Sequence, residues 1–225
     1  MGGFAALYLA AAYLTGIVLF LFVLDYPSIT EPAQKVALLV DKQMVIYITN
    51  MLMYVIFGIV LVVLTLALYE RLNSASPALI RTATAIGIIW AGALIASGMV
   101  ANAGIAPVVA LYGKDPAQAA LTWLAIESVA DGLGGANGEI LGGLFTLFVS
   151  WAALQVGGLP KGLGYLGILV GAVGIISIVP GLGDLSALFG MSQILWFIWL
   201  GIVLLRQSSS VLRVKEEKVK SFDPA

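Results

Sequence analysis

Cysteine and histidine are both missing from the 225 residues. Their absence removes disulfides, thiolate nucleophiles, imidazole bases, histidine-ligated haem and the usual zinc and iron–sulfur sites. Charge is scarce as well. Eleven Lys and Arg and 12 Asp and Glu make up only 10% of the chain, and the formal net charge is -1. A balance so near zero offers a polyanion no attraction, so nucleic acid is not an expected partner. Nor is there a glycine-rich phosphate loop between strand and helix, or the alternating pattern of a β-barrel. Nothing in the spacing of Met, Asn or Gln selects a cofactor, so the cofactor is unknown; a pigment or lipid held in apolar grooves would leave no mark on the sequence.

What fills the chain is apolar: 61% of residues are hydrophobic and the mean hydropathy is +1.06, whereas soluble domains are roughly half apolar and about a quarter charged. A spanning helix needs about 20 mostly apolar residues. Six stretches read this way, at 4–24, 44–69, 79–102, 139–156, 162–179 and 187–205. Asn73, Ser74 and Pro77 separate the second from the third, Gly157, Gly158 and Pro160 close the fourth, and Pro180 to Asp184 form a turn before the sixth. No basic region precedes the first stretch, which is therefore read as a retained helix rather than a signal peptide. The expected fold is an all-α bundle of about six transmembrane helices over 1–206, embedded in a lipid bilayer, with a basic tail at 207–225.

Two connecting segments carry helical signals of their own. Residues 32–42 place Pro32 at a first helical position and Val36, Leu39 and Val40 on one side, which suggests a short interfacial helix. Residues 115–131 begin with Asp115 as an N-cap and Pro116 at the first helical position, and stop at Gly132, Gly134 and Gly135. Glu127 and Asp131 argue against a full span there, since a charge at the bilayer centre costs at least about 2.5 kcal/mol. This helix is expected to lie on or dip into one membrane face.

The basic residues give a direction. With both termini inside, Arg71, Arg81, Lys161, Arg206, Arg213, Lys215, Lys218 and Lys220 gather on one side and Lys35, Lys42 and Lys114 on the other. The positive-inside rule then places both termini in the cytoplasm of a cell membrane, inner or plasma. The outer side receives Asp25, Glu31, Asp41, Asp115, Glu127, Asp131, Glu139 and Asp184. The tail bases, set beside Glu216 and Glu217, read either as an anionic-lipid contact or as an ordinary solvated flank.

Glycine spacing is the most structured motif. Gly164, Gly167, Gly171 and Gly174 recur at steps of three and four and form one smooth helix face. Gly138 with Gly142, and Gly87 with Ala91, repeat the small-xxx-small spacing. Such a face serves either a partner subunit or packing within the chain. Gly181, Leu182, Gly183 and Asp184 match the short pattern around one aspartate of intramembrane proteases, but that chemistry needs two aspartates and no second one lies in a span. Capping explains an acid at a helix boundary.

Glu127 and Asp131 stand one helical turn apart, Glu139 opens the fourth span, and Asn50 and Asn102 approach the same face along antiparallel helices. Thr49, Ser97 and Asn137 enlarge the set. These residues read as an outward-facing polar vestibule for a cation or small polar solute, or else as hydrated loop carboxylates with amides that tie helices together. Most Trp and Tyr fall near span ends, as interfacial rings do, while Trp90 is mid-span and reads as packing.

The run from Leu159 through Pro160, Lys161, Gly162, Leu163, Gly164, Tyr165, Leu166 and Gly167 to Trp199, Leu200, Gly201, Ile202, Leu204, Leu205 and Arg206 resembles the closing helix pair of the domain-of-unknown-function 4386 family, bacterial and archaeal multi-pass membrane proteins. Ala5, Ala6, Leu7, Tyr8, Leu9 and Gly16 are similar to its opening helix. The resemblance implies a six-helix membrane protein and brings no catalytic residues. The functional expectation is a non-enzymatic accessory subunit or binding module, working beside other membrane subunits; the alternative is a transporter or channel for a small solute or cation.

Overall fold

The computed structural model of the chain describes residues 1–73, 77–134 and 139–221. Among the described residues all regular structure is helical. Helix α1 (Gly2–Ile17) continues into a π-helical turn, Val18–Val23. A short 3-10 turn, Tyr26–Ser28, leads to α2 (Pro32–Asp41). Helix α3 (Gln43–Asn50), a second π turn (Met51–Ile56) and α4 (Phe57–Leu72) form one continuous rod. Then come α5 (Pro77–Tyr112), α6 (Pro116–Gly134), α7 (Ile140–Val156), α8 (Lys161–Ile176) and α9 (Leu185–Ser221).

In lipid every backbone polar group must find its partner inside the chain, and a helix does this without help from other segments. Four helices are long and apolar enough to cross a membrane: Gly2–Val23, Gln43–Leu72, Pro77–Tyr112 and Leu185–Gln207; Ile140–Val156 and Lys161–Ile176 are shorter apolar helices. The chain is therefore an all-α helical membrane protein. Proline marks the starts of α2, α5 and α6, where its missing N–H costs nothing. Gly157, at φ +70, ends α7 in the left-handed conformation, and its N–H reaches back to the Ala153 carbonyl.

Both ends of the bundle segment meet at one pole. Gly2 lies against Ala67 and Leu204, and Gly3 against Leu205. At this pole the Arg71 guanidinium donates to the Gly158 carbonyl at 3.2 and 3.3 Å and also to Gln207 Oε1, fastening the ends of α4 and α7 to α9.

Packing divides the molecule into two tiers. The larger core joins α1, α4, α5, α7 and α9 around Phe57, Trp90, Phe145, Trp196 and Phe197. A second, separate core joins α2, the far half of α5 and α6 around Val36, Leu39, Ile105, Val108, Ala119 and Trp123. Length explains the division. The 36 residues of α5 span about 54 Å at ~1.5 Å each, against about 30 Å of hydrocarbon. The excess lies at the end of α5 away from Gly2 and Gln207, where α2 and α6 pack against it. The third span was expected to stop at residue 102; the helix instead continues to Tyr112 with Pro107 inside it, because α6 lies along the added turns.

Glycine sets the closest approaches. Atoms of Gly143, Leu147, Leu154 and Phe189 fill the places that Cβ atoms of Gly164, Gly171 and Gly174 would take, and the Ser150 hydroxyl and the Trp196 indole N–H point at Gly167. The glycine face of α8 is thus used up against α7 and α9. Gly142 likewise admits Trp90 and Phe189, while Gly138 lies outside the described residues. Asp184 stands in the exposed turn ahead of α9, where its carbonyl accepts from the Ala187 N–H at 3.2 Å.

Candidate functional site

The polar chemistry collects where the cap of α2 and α6 meets the bundle. Asp25 adopts a left-handed conformation, φ 48, that turns the chain out of the first helix and brings Tyr26 beneath α6. Lys42 Nζ donates to the Val23 carbonyl at 2.8 Å and so satisfies the exposed end of that helix. Asp115 Oδ1 accepts from the Gln118 N–H at 3.0 Å, the N-cap that starts α6.

Glu127 is the hub. Lys35 Nζ from α2 donates to both of its carboxylate oxygens at 2.8 Å, and the Tyr26 hydroxyl donates to Oε1 at 2.5 Å. Trp123 Nε1 donates in turn to the Tyr26 oxygen at 3.3 Å, and Lys35 stands 5.1 Å from the centre of the Tyr26 ring. Burial, and then the bond to Glu127, push the Tyr26 phenol far above its ordinary range. One turn further along α6, Asp131 makes no such contact among the described residues. Burial holds its carboxyl above the usual value, the Glu127 charge adds to the rise, and Lys35 opposes it.

A cavity of about 70 Å³ opens beside this hub, lined by Asn50, Ser97, Trp123, Glu127 and Asp131 with apolar walls from Leu24 and Ile46. Its inner wall is Phe20 and Tyr54. The same two rings bound a second cavity of about 140 Å³ that reaches Tyr13, Phe57, Trp90 and Glu139 in the large core. A third space of about 60 Å³ adjoins it past Trp90 and Glu139. Phe20 belongs to the π turn of the first helix, and Tyr54 to the π turn between α3 and α4. A π turn holds an extra residue and widens the helix locally, which carries side chains to positions an α-helix would not reach. Gly98 allows the approach of α5, since a Cβ there would stand 2.7 Å from the Tyr54 Cβ.

Of the residues singled out from the sequence, Asn50, Glu127, Asp131 and Ser97 line one cavity. Asn102 does not line it. Its Oδ1 accepts from Asn50 Nδ2 at 3.0 Å and its Nδ2 donates to the Tyr47 carbonyl at 3.2 Å, joining α3 to α5. Glu139 faces the inner cavities instead, and Asn137 lies outside the described residues. Ser97 also donates to the Ala130 carbonyl at 2.8 Å and pins α6 to α5. Sequence reasoning missed Tyr26, Lys35, Phe20 and Tyr54. Lys35 was one of the few cations on its side of the chain, the single signal available. Among the described residues no three carboxylates come close enough to hold a metal ion.

The sequence profile of a family described as Domain of unknown function (DUF4386) matches residues 4–206, nearly the whole helical bundle. The chain belongs to the DUF4386 family. No curated protein and no solved structure matches it. The family description assigns no activity, so the reading of this DUF4386 protein rests on its own geometry.

Proposed function

We propose that this protein is a non-enzymatic binding module of a cell membrane that admits a small solute from the face opposite its termini. The observation that carries the reading is the pair of cavities that share Phe20 and Tyr54, one under the cap and one beside the large core. The positive-inside rule supports cytoplasmic termini: Arg71, Arg81, Lys161 and Arg206 lie toward their pole, and Lys35, Lys42 and Lys114 toward the cap. An accessory-subunit role draws no support from the glycine face of α8, which is buried within the chain.

The chain has no native cysteine, so single-cysteine labelling tests the reading directly. Ala101→Cys in the vestibule and Leu94→Cys in the inner cavity are treated in intact cells with a membrane-impermeant thiol reagent. Both should label, Leu94→Cys the more slowly, with neither requiring permeabilised cells. Protection of Leu94→Cys in folded protein, with full labelling after denaturation, would refute the connected path. Labelling of Ala101→Cys only after permeabilisation would reverse the orientation.

A further inference from the structure

The inner cavity joins an aromatic lining to a carboxylate that has no ion-pair partner among the described residues. Aromatic rings surround it, and they meet at steep angles: Tyr13 and Phe57 have centroids 5.3 Å apart at 78°, and Phe57 and Trp90 6.3 Å apart at 70°. Edge-to-face contacts fix these rings against one another, and Tyr13, Tyr54, Phe57 and Trp90 all line the cavity. The carboxylate is that of Glu139. It stands just ahead of α7, its backbone N–H is taken by the Ser177 hydroxyl at 3.1 Å, and its side chain borders both inner cavities. The ion pair among the described residues is Lys35 with Glu127, at the other side of the Phe20–Tyr54 wall. A bound cation would supply the opposite charge that favours the ionised form of a carboxylate in such a place.

We infer that the inner cavity is a binding site for a small organic ammonium ion, caged by Tyr13, Tyr54, Phe57 and Trp90 and neutralised by Glu139. This rests on the solute-binding reading above and names the class of solute. Aromatic faces attract a cation whose charge is spread over methyl groups, and they are the general solution for quaternary ammonium recognition. A hard metal ion would need several oxygen ligands together, and no three carboxylates converge here among the described residues. The size agrees: the cavity is about 140 Å³, close to the ~150 Å³ that accommodates benzene in a protein interior.

The test uses the purified full chain in lipid nanodiscs and two probes of one shape, choline and its neutral carbon isostere dimethylbutanol, with binding measured by calorimetry and by the indole emission. Choline should bind at least tenfold more tightly than the isostere. Glu139→Gln should remove that preference, and Phe57→Leu should weaken choline several-fold; thermal melts check that both variants fold. Equal affinity for the two probes, retained choline affinity in a folded Glu139→Gln protein, or no binding of either probe would overturn the ammonium site. Those outcomes leave solute access standing wherever Leu94→Cys labels. Glutamate-dependent choline binding without labelling would uphold the site and overturn the access path alone.

Discussion

Breaking the Lys35–Glu127 pair should loosen the cap and leave the bundle intact. The two side chains are 22% and 12% exposed, so the pair belongs neither with solvated surface pairs, worth about 0.2–1 kcal/mol, nor with fully buried ones, whose disruption costs about 3–5 kcal/mol. Two oxygens at 2.8 Å from one ammonium, with a phenol donating to the same carboxylate, place the coupling at about 2 kcal/mol in a cycle of Lys35→Met, Glu127→Gln and the double variant. The cycle is read from unfolding in nanodiscs, together with amide exchange resolved by helix. Because α2 and α6 share a core separate from the large one, exchange should rise across Pro32–Asp41 and Pro116–Gly134 and stay unchanged in α7 and α8. A coupling below about 0.5 kcal/mol would refute the energetic reasoning; a uniform rise over all helices would refute the two-tier description.

Two further outcomes follow from the same geometry. The Asp131 carboxyl is held above its ordinary 3.8 in the folded chain, so the folded state binds that proton more tightly than the unfolded one, and stability present at low pH is lost as pH rises through the raised value. Asp131→Asn removes this loss: its melting temperature relative to the parent should climb from about pH 3.8 toward neutrality, and a pH-independent difference would contradict the assignment. Gly167→Ala would set a methyl group 2.5 Å from Trp196 Nε1 and against the Ser150 hydroxyl, costing about 1–3 kcal/mol. Gly92→Ala meets nothing within 4 Å and should stabilise by about 0.5–1 kcal/mol. Denaturation of the two variants side by side checks the contrast, and equal signs would overturn it.

Much of this fold was legible because proline, glycine and charge punctuate the apolar runs. Pro32 and the Asp115–Pro116 pair announced α2 and α6 within a few residues, and the Asp115 cap forms as expected. The third span was expected to end at Asn102; burial of Ile105 and Val108 against α6 keeps the helix going to Tyr112. Glu127 and Asp131 share a helix face, so their place on one cavity was legible in their spacing. The Lys35–Glu127 pairing spans 92 positions, and no local pattern reports such a contact. Still less legible were the π turns: Val18–Val23 and Met51–Ile56 read as ordinary apolar helix, since one wide turn leaves the hydrophobic composition unaltered.

Those wide turns make the cavity system unusually sensitive to chain length. Deleting one residue within Met51–Ile56 would remove the extra residue that the wide turn holds and restore regular α-helix, with Gln43–Asn50 and Phe57–Leu72 close to their present register. Tyr54, carried by that turn, would leave the wall common to the two cavities while the lipid-facing composition hardly changed. A single lost codon could therefore erase the pocket and keep the membrane protein, so binding and folding are separable by a mutation that no substitution scan would sample.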